Sequence, residues 1–173
     1  MRTWNPAQAA GVDEGARVMA KPWLGLSLMP EAGFAAASAP LFREQKIDAV
    51  EWSFDMGWGQ PIAPWLDALL TFFSEEGRLF GHGVSMSPLS VMATPKRTAW
   101  LERFEAEMKT RRYLHVSEHY GCMTTPRFSS GAPIPMPRST EAARTFGAAM
   151  DALRLRALCP VGIEKPRAVL LGT

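Results

Sequence analysis

Short apolar runs and longer amphipathic stretches take turns along this chain from Trp23 onward. The runs "WLGLSL" (23–28), "AVEWSF" (49–54), "RLFGHGVSMS" (78–87), "YLHVSEH" (113–119) and "PVGIE" (160–164) read as strands. Between them lie four helical stretches, over 31–45, 61–77, 94–110 and 140–158. Strands that alternate with helices imply a parallel sheet joined by right-handed crossovers. Two architectures fit. An open, flavodoxin-like sheet normally has five such units, whereas an eight-stranded barrel typically takes about 250 residues. At 173 residues, length favours the open sheet.

The helices carry their own punctuation. In 61–77, Ile62, Trp65, Leu66, Leu69, Leu70 and Phe73 fall on one face at spacings of three and four, and Gly77 follows as a stop. Thr94 and Pro95 suit the start of the third helix, with Leu101, Phe104 and Met108 as its buried stripe. Pro40 is expected to break the first helix or to begin a second turn there. Ser139 is placed to cap the fourth. Residues 121–138, rich in Pro, Gly and Ser, read as a long loop with a functional or mobile role. Residues 1–21 read as a flexible tail and 22–173 as one domain.

Composition narrows the function classes. Nineteen Lys and Arg against seventeen Asp and Glu leave a formal charge of +2. A dedicated nucleic-acid binder carries a stronger basic excess. The clusters Lys96–Arg97 and Lys109 with Arg111–Arg112 flank one helix and read as solvated ends. Two cysteines are too few for a disulfide framework. The first 23 residues contain no apolar core of a secretory signal, and no run approaches the roughly 20 apolar residues of a membrane span. A soluble, cytoplasmic protein with no membrane partner is expected.

Sites of parallel α/β proteins lie beyond the carboxyl ends of the strands. The five ends here deliver Glu31, Asp55, His82, Glu118 with His119, and Glu164. Imidazole mixed with carboxylate favours zinc, iron or manganese over calcium or magnesium, which prefer oxygen ligands alone. His82, Glu118, His119, Glu164 and Asp55 are therefore candidate metal ligands. Glycines on both sides of His82 are expected to let the backbone turn and bring the ring inward. Glu31 reads as a helix cap or solvated group, and His115 as a packed core histidine. Cys122, just beyond His119, is an isolated thiol with weak claims as nucleophile or ligand. No dinucleotide or P-loop fingerprint and no nucleophile elbow is present.

Six segments then combine in order: "LGLSLMPE", "AVEWSFDMGWG", "LFGHGVSMS", "YLHVSEHYG", "APIPMP" and "PVGIEKP". Together they resemble the multinuclear non-haem iron-dependent oxidases. These are TIM-barrel enzymes related to the methanobactin-biosynthesis oxidase, and they modify cysteines of ribosomally made precursor peptides. The resemblance spans about residues 22 to 167. It rests chiefly on His82-Gly83-Val84 with Ser85 to Ser87, and on Ser117-Glu118-His119. Ile163-Glu164-Lys165 matches the family's Leu-Glu-Asn segment in part, and Ala32 stands where relatives often place a histidine.

What the resemblance implies differs from what length suggests. It implies a TIM barrel of which about five strand-helix units are present, hence a truncated product, a barrel completed by another chain, or a rearranged sheet. It implies iron, with two or more ions, held by His82, Glu118, His119 and Glu164, with dioxygen as co-substrate. It implies a precursor peptide as substrate and a separate protein that binds the peptide's leader. Arg127 and Arg138 stand in the long loop, where they could meet an acidic peptide or simply be solvated. Open strand edges would invite self-association. Two other classes stay open: a non-catalytic remnant or interaction module of the same fold, and a divalent-metal isomerase or endonuclease-like barrel that needs no oxygen.

Overall fold

A computed structural model describes residues 21–90, 95–125, 127–134 and 139–164. Residues 1–20 of the expected tail over 1–21, the cap at Thr94, Arg138 and Lys165 lie outside these residues. The described chain runs β1 (Gly25–Leu28), α1 (Ala32–Arg43), β2 (Ala49–Trp52), a 3₁₀ turn (Phe54–Met56), α2 (Pro64–Glu75), β3 (Leu79–Gly83), α3 (Pro95–Thr110), β4 (His115–His119), β5 (Cys122–Thr125), β6 (Phe128–Ile134), α4 (Thr140–Arg154) and β7 (Val161–Glu164). All five strands and all four helices expected from the pattern are present.

The main sheet is parallel, with order β1-β2-β3-β4-β7. Each parallel strand lies beside the one before it, without the reversal that marks a doubly wound sheet. Right-handed crossovers that always step the same way put their helices on one face. Burial agrees with this. Leu28, Val50, Trp52, Leu79 and Val116 share a core with Leu66, Leu70 and Phe73 of α2, Phe104 and Met108 of α3, and Phe146, Met150 and Leu153 of α4. Because side chains alternate along a strand, Ser27, Glu51, Phe80, His82, His115, Ser117, His119 and Glu164 share the opposite face, in the register that pairs Ser27 with Glu51, Glu51 with Phe80, Phe80 with His115, and His119 with Glu164. This is the open face. The sheet edges are β1 and β7, and no described strand joins them.

Local signals explain most boundaries. α2 ends in a two-bond C-cap: Arg78 N–H donates to the Phe73 carbonyl at 2.8 Å and Gly77 N–H to that of Ser74 at 3.1 Å. Gly77 adopts φ +65°, which favours a residue without Cβ. The Ser139 hydroxyl accepts from Ala142 N–H at 3.0 Å and caps α4 as expected.

Three expectations are corrected. α1 continues through Pro40 to Arg43. Pro40 lacks the N–H that would donate to the carbonyl of Ala36, and Ala36 is exposed, so water can reach it. Residues 122–125 and 128–134 form an antiparallel hairpin, pairing Cys122 with Ile134 and Thr125 with Phe128, where a loop was expected. Finally, Gly81 and Gly83 make no sharp turn, since both lie within β3. Their role is close packing. A Cβ at Gly81 would crowd Val116, Tyr113 and Phe54, and one at Gly83 would collide with the Glu118 carboxylate.

Candidate metal centre

Three neighbouring strands build the site. His82 lies on β3, His119 ends β4 and Glu164 ends β7. Parallel register sets them at the same end of the sheet and on the same face. One ligand atom from each lies within 4.8 Å of the others, and among the described residues this is the group able to hold a metal ion. Nδ1 of His82 is 2.9 Å from Oε1 of Glu164, and Nδ1 of His119 is 3.8 Å from Oε2. The two imidazoles meet edge to face, 4.6 Å between centroids. Their side chains are 12 % and 22 % exposed, and that of Glu164 is 40 % exposed, so the group is sheltered yet open to a ligand.

Ser117 organises the group from β4. Its hydroxyl donates to Oε1 of Glu164 and lies 3.2 Å from Nδ1 of His82. In the sequence, Ser117 stands out only as part of the Ser-Glu-His motif. The period of two along "HVSEH" is the signal that places it beside both ligands. Burial, and then neighbouring His82, hold the His119 imidazole below its ordinary range, against the opposite pull of Glu164, Asp55 and Glu51. A neutral imidazole keeps a lone pair for a metal.

Glu118 and Asp55 are placed differently. Glu118 points to the helix side of β4, opposite its neighbour His119, and is fully buried. Its Oε1 accepts from His119 N–H at 3.0 Å, while Oε2 has no hydrogen-bond partner among the described residues. Burial first, then the carboxylates of Asp55 and Glu164, push its carboxyl well above the usual range, with the His119 N–H acting the other way. Asp55, buried in the 3₁₀ turn after β2, receives four donors. These are Val84 N–H at 3.0 Å, Ser85 N–H at 2.6 Å, the Ser85 hydroxyl at 2.7 Å and Trp100 Nε1–H at 2.9 Å. Nothing in the sequence marks the indole contact. Asp55 thus holds the end of β3 and ties α3 to it. Neither residue belongs to the three-residue group.

Other candidates fall elsewhere. Glu31 occupies the N-cap position of α1 without a side-chain cap bond. His115 stands over Gly162 on the open face, its ring tilted against that of Phe80 with 6.3 Å between centroids. Cys122 is buried in β5, its Sγ 3.7 Å from the Thr124 carbonyl oxygen. Arg127 is exposed at the hairpin turn.

The fold and the site define an α/β protein with a one-directional parallel sheet and a His/Glu group that could hold a metal ion. No protein-family model matches the chain, and no curated protein sequence matches it. No described helix is long and apolar enough to cross a membrane.

Proposed function

We propose that this chain is a metal-dependent oxidase built on part of a TIM barrel, which uses iron and dioxygen to modify a cysteine of a ribosomally made peptide. The observation that carries the reading is the convergence of His82, His119 and Glu164 at the carboxyl ends of three successive strands. Two imidazoles and one carboxylate with room for further ligands form the donor set common for non-haem iron. The sequential strand order, with helices on one face and polar side chains on the other, supports a run of consecutive barrel units. The Ser-Glu-His and His-Gly elements support the choice of family. When bound, the iron supplies redox chemistry with dioxygen. The chain's own residues hold it. Ser117 fixes the Glu164 carboxylate, His119 offers a neutral ring, and both imidazoles are mostly shielded from solvent.

The test is oxygen uptake by the iron-loaded chain in the presence of a cysteine-containing peptide. Uptake that depends on the peptide and disappears in His82→Ala supports the reading. A chain that holds iron yet consumes no oxygen beyond that of free ferrous ion contradicts it.

A second reading draws on Glu118 and Asp55. Their carboxylates stand apart from the three-residue group, one buried on the helix side and one occupied by four donors. A protein with only three converging ligands could bind a metal and serve as an interaction module without catalysis. The open edges β1 and β7 suit that role, and also suit pairing with a second copy or another chain. Iron retention without oxygen uptake would favour it.

A further inference from the structure

Beside the His/Glu group, a second concavity opens at the carboxyl ends of β1 and β2. Its volume is about 460 Å³, within the roughly 300–1,000 Å³ of small-ligand sites. Met29, Trp52, Met56, Ile62 and Leu66 make its wall largely apolar. Trp52 and Leu66 are buried and form the floor, whereas Met29 and Met56 are exposed at the mouth. Thioether side chains there adapt to varied apolar shapes.

Among the described residues the wall includes one charged residue, Glu31. It stands at the N-cap of α1, yet its side chain accepts no capping hydrogen bond. Glu31 is exposed beside the cavity. Val84 also lines the cavity, and it follows His82 by two positions. Asp55 grips the Val84 N–H and so fixes that segment. Cavity and metal centre thus lie at the same, carboxyl end of the sheet.

We propose that this cavity is a subsite for a large apolar side chain of a peptide whose adjacent residue is basic and pairs with Glu31. The proposal rests on the peptide-substrate reading above. The apolar wall selects the first residue, because burial of a large aliphatic side chain is favourable and burial of a short polar one is not. The lone carboxylate selects the second, since among the described residues no cation lines the wall to offset it. A neutral apolar molecule would fill the cavity and leave Glu31 unanswered.

The test uses the full chain without metal, its methionine methyl groups labelled with carbon-13. Three blocked peptides are compared: Gly-Leu-Lys-Gly-Cys, Gly-Leu-Glu-Gly-Cys and Gly-Ser-Lys-Gly-Cys. The first is expected to shift the Met29 and Met56 methyl signals, assigned with Met29→Leu and Met56→Leu. The Glu peptide should bind roughly two- to fivefold more weakly, as for a partly exposed ion pair, and the Ser peptide roughly tenfold or more. Glu31→Gln should abolish the preference for Lys over Glu while keeping that for Leu over Ser. Equal affinity for the three peptides, or shifts that spare Met29 and Met56, would overturn the proposal. Iron binding is measured on the same preparations. A chain with the peptide preference but no iron keeps the subsite and loses the oxidase reading. A chain with iron but no preference does the reverse.

Discussion

Nδ1 of His82 and Oε1 of Glu164 lie 2.9 Å apart, although β4 separates the strands that carry them. The carboxylate reaches over β4, and Ser117 of that strand holds it there with its hydroxyl. Glu164 is thereby pre-positioned between two imidazoles instead of turning to solvent at the sheet edge.

Removing this anchor should loosen the centre without unfolding the chain. Ser117→Ala is expected to weaken zinc binding, used as a redox-silent probe, by roughly 10–100-fold, the usual effect of losing a group that orients a ligand. The stability loss should be only about 1 kcal/mol, one hydrogen bond. Competition against a zinc-binding dye, alongside urea unfolding, reads both. Unchanged zinc affinity would mean that Glu164 needs no support from Ser117.

Glu118 and Gly83 fill one space. Gly83→Ala should destabilise by about 1–3 kcal/mol, because its Cβ would collide with the buried Glu118 carboxylate. In a Glu118→Ala background the same change should be much milder. A double-mutant cycle in urea measures the coupling. Equal costs in both backgrounds would contradict the close packing of the two residues.

Asp55→Ala strips the acceptor from Val84, Ser85 and Trp100 together. Stability should fall by about 3 kcal/mol or more, since buried donors left unsatisfied cost roughly 1–3 kcal/mol each. Trp100 emission should move to the red as the indole loses its partner. A loss below about 1 kcal/mol would rule out this buried hub.

Tyr113 supplies a pH test. Burial first, and then Glu107, push its phenol well above the ordinary value, and the hydroxyl donates to Glu107 Oε1 at 2.7 Å. The folded pKa is raised, so the unfolded state gives up the proton first, near pH 10. The stabilising contribution is therefore complete below about pH 10 and declines as pH rises toward the folded value. Tyr113→Phe should flatten this alkaline decline in urea midpoints measured between about pH 9 and 11. Parallel curves for the two proteins would contradict it.

The sheet edges predict association. Ile163 on β7 and Leu24 just before β1 are exposed. Sedimentation equilibrium should show a concentration-dependent dimer that Ile163→Lys weakens, because a charged edge resists pairing. A monomer at all concentrations would remove the edge as an interface.

Alternation made the fold legible. The strand and helix runs could be read because each carries its own period, and the caps at Gly77 and Ser139 are local chemistry. Sequence also brought His82, His119 and Glu164 to one rim, because parallel strands end together. It was less informative about facing. Glu118 and His119 are neighbours in the chain, and the pleat sends them to opposite sides of the sheet. The glycines beside His82 looked like a turn signal, yet they answer to Val116, Tyr113 and Glu118, contacts that only tertiary packing creates. The hairpin over 122–134 was hidden by its Pro, Gly and Ser content, which reads as loop when no partner strand is known.

The most direct measurement of the central claim is the metal content of the chain after reconstitution with ferrous iron in the absence of oxygen. At least one tightly held iron per chain is expected, lost in His82→Ala and in Glu164→Gln while circular dichroism stays unchanged. Negligible iron in a folded wild-type chain, or iron that both variants retain, would contradict a metal centre at His82, His119 and Glu164.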